Sequence, residues 1–175
     1  MQADVVRQEQ VAEAARLRDV GQFAESRALL LSLVAAYPDD PLVNYQAAWT
    51  HDRMGLEQEA IPFYERAIAA GLDNDDLRGA LLGLGSTYRV LGQDRDAVRT
   101  LAAGVAQFPD DGAMRAFYAL ALHSAGEHTR ATQAFLRVIL DTSRDPHIER
   151  YRRALTEYME HPDELWRDGA WHVRP

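Results

Sequence analysis

The sequence contains no cysteine and no lysine. The first absence removes disulfide staples and leaves any zinc site to the six histidines and the carboxylates, which show neither a His-x-x-x-His nor a His-Glu-x-x-His spacing. No metal and no cofactor are expected. The second absence removes Schiff-base and lysine-nucleophile chemistry. All 19 basic side chains are arginine, whose planar guanidinium suits carboxylate recognition. Long apolar runs are missing too: stretches such as Ala28 to Ala36 are broken by polar residues and fall far short of the roughly 20 residues of a membrane span. Basic residues are outnumbered by 27 acidic ones, giving a net charge of −8, which opposes general binding to nucleic acid or anionic lipid. Met1-Gln2-Ala3-Asp4 carries acid and amide where a secretory leader is basic and then apolar, so a cytoplasmic location is expected. What remains is an ordinary globular composition, 47% hydrophobic and 26% charged over 175 residues, enough for one domain with its own core.

That core is organised by repetition. Gly21, Gly55, Gly92 and Gly126 stand 34, 37 and 34 residues apart, the period of two-helix repeats. Five positions after each glycine comes a small residue: Ser26, Ala60, Ala97 and Ala131. Nine positions after comes a bulky one, Leu30, Tyr64, Leu101 or Phe135, and seven before another small one, Ala14, Ala48, Gly85 or Ala119. Small residues at fixed phase let two helices approach closely. Pro38 and Pro109 end second helices, since proline lacks the amide donor and disfavours helical geometry in the residue before it. An Asp-Asp pair then opens the next unit.

These residues resemble the tetratricopeptide repeat (TPR), and the third unit carries the fullest pattern: Leu84-Gly85-x-x-Tyr88, Gly92, Ala97 and Pro109. The resemblance covers about residues 7 to 143. His51-Asp52, Pro62 to Ala67 and Ala80 to Thr87 are further similar to a bacterial subgroup, the small tetratrico peptide repeat group five proteins. It implies an all-α fold, an α-solenoid of four stacked helix-turn-helix repeats at about 7–40, 41–74, 78–111 and 112–145. It also implies protein interaction and dimerisation. Two departures stand out: Gln10 occupies a place where an aromatic is common, and about three extra residues lie around Gly71 to Asp76, which should alter the local stacking. Asp73 to Asp76 read as helix-capping acid, lacking the glycine and distal glutamate of a calcium loop.

A stack of repeats leaves an apolar end that must be covered. Asp145-Pro146 opens a helical pattern with Ile148, Tyr151, Leu155 and Tyr158 on one stripe and Arg150, Arg152, Arg153 and Glu157 as its polar side. A C-terminal capping helix over 146–160 completes a solenoid domain of 1–160, followed by a tail, 161–175, that contains Trp166 and Trp171 and is unlike the repeats. Glu157 and His161 are spaced for a side-chain pair.

The first helices of such an array line its concave face. The glycine phase turns inward Val11, Ala15 and Arg18; Tyr45, Trp49 and Asp52; Leu82, Ser86 and Arg89; Ala116, Leu120 and His123; with Asp19 and Arg53 beside them. Tyr45, Trp49, Arg53, Leu82, Arg89, Leu120 and His123 are the candidate peptide-binding residues: an apolar, aromatic middle flanked by arginines suits a peptide or helix with an apolar anchor and carboxylates. Against this, aromatics four apart on a helix serve packing more often than recognition, and surface ion pairs with Asp52, Asp94 or Asp96 could occupy the arginines. The lysine and asparagine carboxylate clamp of related repeats is not carried over, because the matching places hold valine, tyrosine, leucine and alanine.

Catalysis has little to stand on. His123, Ser124 and Asp52 make a triad only on paper, since adjacent helical residues diverge and no Gly-x-Ser-x-Gly elbow exists. Gly83-x-Gly85 lies within a helix, where missing side chains serve close packing, and His51 is expected to sit between helices with one ring nitrogen hydrogen-bonded. The partner expected is another protein or peptide, with no nucleic acid, no membrane and no enzymatic reaction. The alternative is self-association into a homodimer, with Trp166 and Trp171 docking in the chain's own or a neighbour's groove, because tryptophans on a short tail tend to be buried somewhere.

Overall fold

A computed structural model of the chain describes residues 2–174. Among them nine helices run in sequence: α1 (Gln2–Asp19), α2 (Phe23–Ala36), α3 (Pro41–Arg53), α4 (Glu57–Ala70), α5 (Asn74–Val90), α6 (Asp94–Gln107), α7 (Gly112–Ser124), α8 (His128–Thr142) and α9 (Pro146–Glu160), followed by strands β1 (Glu164–Arg167) and β2 (Ala170–Val173). The four glycines of the repeat phase close the turns inside the hairpins, all at positive φ, between 72° and 82°. Each turn is tied by the amide of the following residue donating back five residues, as Gln22 does to the Leu17 carbonyl (2.8 Å) and Gln93 to Tyr88 (2.8 Å). Between hairpins an aspartate does the local work. Asp40, Asp73, Asp111 and Asp145 each cap the next first helix by accepting from amides of its opening turn.

The extra residues near Gly71 enter as helix, not loop. α5 has 17 residues against 13 in α3 and α7, and the phase-based start at 78 lies a turn inside it.

Consecutive helices pack in order, and in addition α1 touches α3, α3 touches α5, and α5 touches α7, whereas second helices make no such contact with one another among the described residues. First helices therefore stand closer together than second helices, which makes their side the inner wall of a curved solenoid. The first three crossing points are filled as the phase requires: Ala14 with Ser26, Ala48 with Ala60 and Gly85 with Ala97 are buried, with Leu30, Tyr64 and Leu101 over them, and in the fourth Ala119 and Ala131 are buried while Phe135 is only half-buried. His51 is buried as well. Its Nδ1–H donates to the Ala47 carbonyl (2.7 Å) while Nε2 accepts from the Arg27 guanidinium (3.0 Å), and Phe63 lies against the ring.

α5 makes the tightest fit. A Cβ at Gly83 would stand 2.4 Å from the Tyr64 hydroxyl oxygen and 2.6 Å from its ring carbon, and one at Gly79 would stand 2.0 Å from the Tyr45 hydroxyl oxygen. The same is true of Gly85 against Leu101 at 2.4 Å.

The stack ends on α9, where the expected stripe is corrected. Ile148 and Leu155 are half-buried and Met159 is buried, but Tyr151 and Tyr158 are each 56% exposed. Arg152, expected on the polar side, faces the stack: its Nη1 donates to the Leu140 carbonyl at the end of α8 (2.7 Å). A guanidinium there satisfies a helix-end carbonyl that has no partner in its own helix. The tail is a β-hairpin, Trp166 opposite Trp171 in register with rings 5.4 Å apart. Its turn is Asp168-Gly169, both at positive φ. The hairpin lies along α9, with Trp171 against Tyr158 and stacked on His161 at 4.8 Å. His161 places Nδ1 3.2 Å from Glu164, not on Glu157 as the spacing suggested. Among the described residues, no helix is long and apolar enough to cross a membrane.

Gly83→Ala is expected to destabilise the fold by about 1–2 kcal/mol, because overpacking against a buried ring, typically 1–3 kcal/mol, exceeds a helix-propensity gain of roughly 1 kcal/mol. A thermal melt equal to or above that of the unsubstituted chain contradicts it. Burial pushes the pKa of His51 below its ordinary 6.5. The unfolded chain therefore binds more protons just below pH 6.5, and stability is expected to fall as pH drops through that window. Denaturant titrations from pH 7.5 downward should show a shallower acid-side decline in His51→Gln.

Candidate functional site

An aromatic concavity lies on the inner wall, and it is built by four helices. On α3, Tyr45, Trp49 and Asp52 follow one another at helical spacing on a single stripe. Tyr45 is buried to its edge and stacks on Trp49 with ring centres 6.0 Å apart, while Trp49 stays 37% exposed. On α5, Leu82 and Ser86 project beside the bare backbone of Gly79 and Gly83, where Tyr64 arrives from α4. Phe117 closes the far side from α7. Together these surround about 360 Å³, within the roughly 300–1,000 Å³ of small-ligand sites.

Charge enters from two directions. Arg18 of α1, only 3% exposed, lays its guanidinium 3.7 Å from the centre of the Trp49 ring and donates to Gln46 Oε1 at 2.6 Å. Burial lowers its pKa, opposed by Asp19, but an arginine starts high enough to keep its charge. The cation–π contact, worth about 0.5–2 kcal/mol, holds the indole against α1 and so fixes one side of the concavity. Asp52 supplies the opposite charge. Its Oδ2 accepts from the Tyr64 hydroxyl (3.1 Å) and its Oδ1 from Thr87 (3.2 Å). Burial raises the Asp52 pKa, and these two donors only partly offset it. Tyr64 is pushed up in turn, first by burial and then by the Asp52 charge. Tyr45 is raised by burial and by Asp76.

Of the seven candidate groove residues, Tyr45, Trp49 and Leu82 converge here, and the inward-phase residues Asp52 and Ser86 join them. The other four do not line it. Arg53 is exposed and lies over the Phe23 ring at 5.8 Å. Arg89 is half-buried, with an Nε that has no hydrogen-bond partner. Leu120 is 37% exposed farther along α7, and His123 meets His128, Nδ1 to Nδ1 at 3.3 Å. Among the described residues neither Arg53 nor Arg89 is held in an ion pair with Asp52, Asp94 or Asp96. Val11, placed inward by phase, belongs to the buried core of the first unit. Tyr64, Phe117 and the two glycines were not anticipated as lining. Gly79 and Gly83, one helical turn apart, were the readable signal for a surface that receives bulky side chains from a neighbour.

Trp166 and Trp171 sit on α9 and not in this concavity. With His161, Arg153, Glu157 and Glu160 they frame a separate, more open hollow.

Solved structures with the same fold include YrrB, described as a TPR protein with an unusual peptide-binding site, at TM-score 0.68 and 21% identity, covering 86% of this chain and 76% of that one. MamA matches at TM-score 0.70 and 18% identity, over 87% of this chain and 79% of that one. A chain of the APC/C hetero-tetramer Cut9-Hcn1 matches at TM-score 0.69 and 15% identity, over 87% of this chain but 29% of that one. No curated protein matches the chain in sequence. Residues 41–161 match the family described as Tetratrico peptide repeat. The glycine-closed hairpins, the ordered stack with its first helices inside and that match over most of the chain agree: this protein belongs to the tetratrico peptide repeat family, whose fold generally mediates protein–protein interaction.

Proposed function

We propose that the protein is a non-catalytic cytoplasmic adaptor that binds a peptide or helix of a partner protein along its inner wall. The observation that carries this reading is the aromatic concavity of α3, α4, α5 and α7, where Tyr45, Trp49 and Leu82 offer an apolar seat open to solvent. Anchor side chains seated in such pockets dominate the energetics of peptide recognition. Arg53 and Arg89 stand outside the seat, one exposed and one half-buried, and are the guanidinium groups offered to carboxylates of the bound segment. Leu120 and His123 extend the contact along α7. Micromolar affinity, roughly −8 kcal/mol, is the scale expected of such a groove. A self-associating reading also has a specific observation in its favour: Trp166 and Tyr158, each against Trp171, stay 57% and 56% exposed on the C-terminal end. In that reading the end surface, and not a tryptophan buried in the chain's own groove, makes the homodimer.

The double substitution Arg53→Ala, Arg89→Ala is expected to weaken partner capture from lysate severalfold while leaving the circular dichroism spectrum unchanged. Capture at the level of the unsubstituted chain ends the assignment of these arginines. Truncation after Glu160 is expected to leave the light-scattering mass at one chain and capture intact. A mass that is two chains before truncation and one after it moves the function to self-association.

A further inference from the structure

The concavity is aromatic on its walls, but a carboxylate lines it. Each oxygen of Asp52 receives one hydroxyl donor, from Tyr64 and from Thr87, and each therefore keeps one acceptor position open. Among the described residues no arginine or histidine pairs with this carboxylate. Glu57, a second acid, adds to the push of burial on this carboxyl. Arg53, next in sequence, turns away to Phe23, and Arg18 is engaged with Gln46 and Asp19 beyond Trp49.

The chemistry of an occupant follows by elimination. A purely apolar anchor covers the open acceptor positions of a half-buried carboxylate without supplying donors, which is costly. An acidic side chain meets the Asp52 carboxylate that lines the concavity and is repelled. A cation with several donors meets both needs, while its hydrocarbon stem packs on Leu82 and the aromatic walls. Of the two cations, the guanidinium is the better match, because it is planar, weakly hydrated, forked toward carboxylates and stacks on aromatic rings. Trp49 already has the Arg18 guanidinium 3.7 Å from its ring centre and Tyr45 stacked on it, so the incoming guanidinium is held by Asp52 and reaches only the part of the indole that stays exposed.

We infer that the concavity between Trp49 and Asp52 is a specificity pocket for an arginine side chain of the bound segment. The inference deepens the adaptor reading and rests on its claim that a polypeptide occupies the inner wall. It specifies a partner segment whose anchor is basic and whose flanking residues, next to Arg53 and Arg89, are acidic.

The test uses the full chain and two small probes, N-acetyl-arginine N-methylamide and its uncharged near-isostere N-acetyl-citrulline N-methylamide. Binding is followed by two-dimensional NMR of the tryptophan indole N–H signals, with Trp49 as reporter and Trp166 and Trp171 as internal controls. The arginine probe is expected to shift the Trp49 signal saturably. The citrulline probe should bind roughly tenfold more weakly, the scale at which a charge-assisted pair separates from a neutral one. Asp52→Asn should abolish the preference while the remaining spectrum stays that of a folded chain. Equal binding of the two probes, an unchanged preference in Asp52→Asn or no saturable response of Trp49 overturns the pocket; the first and last need no variant to fold. If the pocket fails while partner capture still depends on Arg53 and Arg89, only the arginine anchor is lost. If the pocket holds while capture ignores those arginines, their role in the adaptor reading is lost instead.

Discussion

Two positions on α5 where a side chain is missing set the shape of the inner wall. Gly79 and Gly83 lie one helical turn apart, and Tyr45 from α3 and Tyr64 from α4 occupy the space their Cβ atoms would fill. This lets three helices from two hairpins close on one another at the depth of a phenol ring. The same contact places the Tyr64 hydroxyl on Asp52, so the packing of the second unit against the third and the polarity of the concavity share a cause. A methyl group at position 83 disturbs both.

Around that contact the chain reuses two local devices. A glycine with positive φ closes each hairpin, and an aspartate caps the first helix of the next. Because both act within about five residues, they work wherever they recur and need no help from the rest of the fold. Their independence explains how the extra residues before α5 are absorbed. Asp73 starts the helix a turn early, and the added backbone groups are bonded within the helix instead of being left in a loop.

The C-terminal end solves a different problem. A solenoid must stop, and the last helix pair leaves both apolar surface and helix-end carbonyls uncovered. α9 supplies Ile148, Leu155 and Met159 for the first and Arg152 for the second. The hairpin then folds on α9, with Trp171 against Tyr158 and His161. Exposed Tyr151, Tyr158 and Trp166 leave this end more apolar than a cap requires.

The repeat phase, the glycine turns, the aspartate caps, the range of α9 and the burial of His51 were all legible in the sequence, since each follows from residues a few positions apart. The hairpin was legible too, as Asp168-Gly169 between two alternating segments, but the contrast with the repeats hid it. What only the tertiary structure decided is which inward-phase residues share one space. Tyr45, Trp49, Asp52, Leu82 and Ser86 meet, with Tyr64 and Phe117 among them, while Arg53, Arg89, Leu120 and His123 stand apart. Helical phase states which way a residue points from its own axis. The rotation and spacing of neighbouring helices, set here by missing Cβ atoms on α5 and by a guanidinium against Trp49, determine what it points toward.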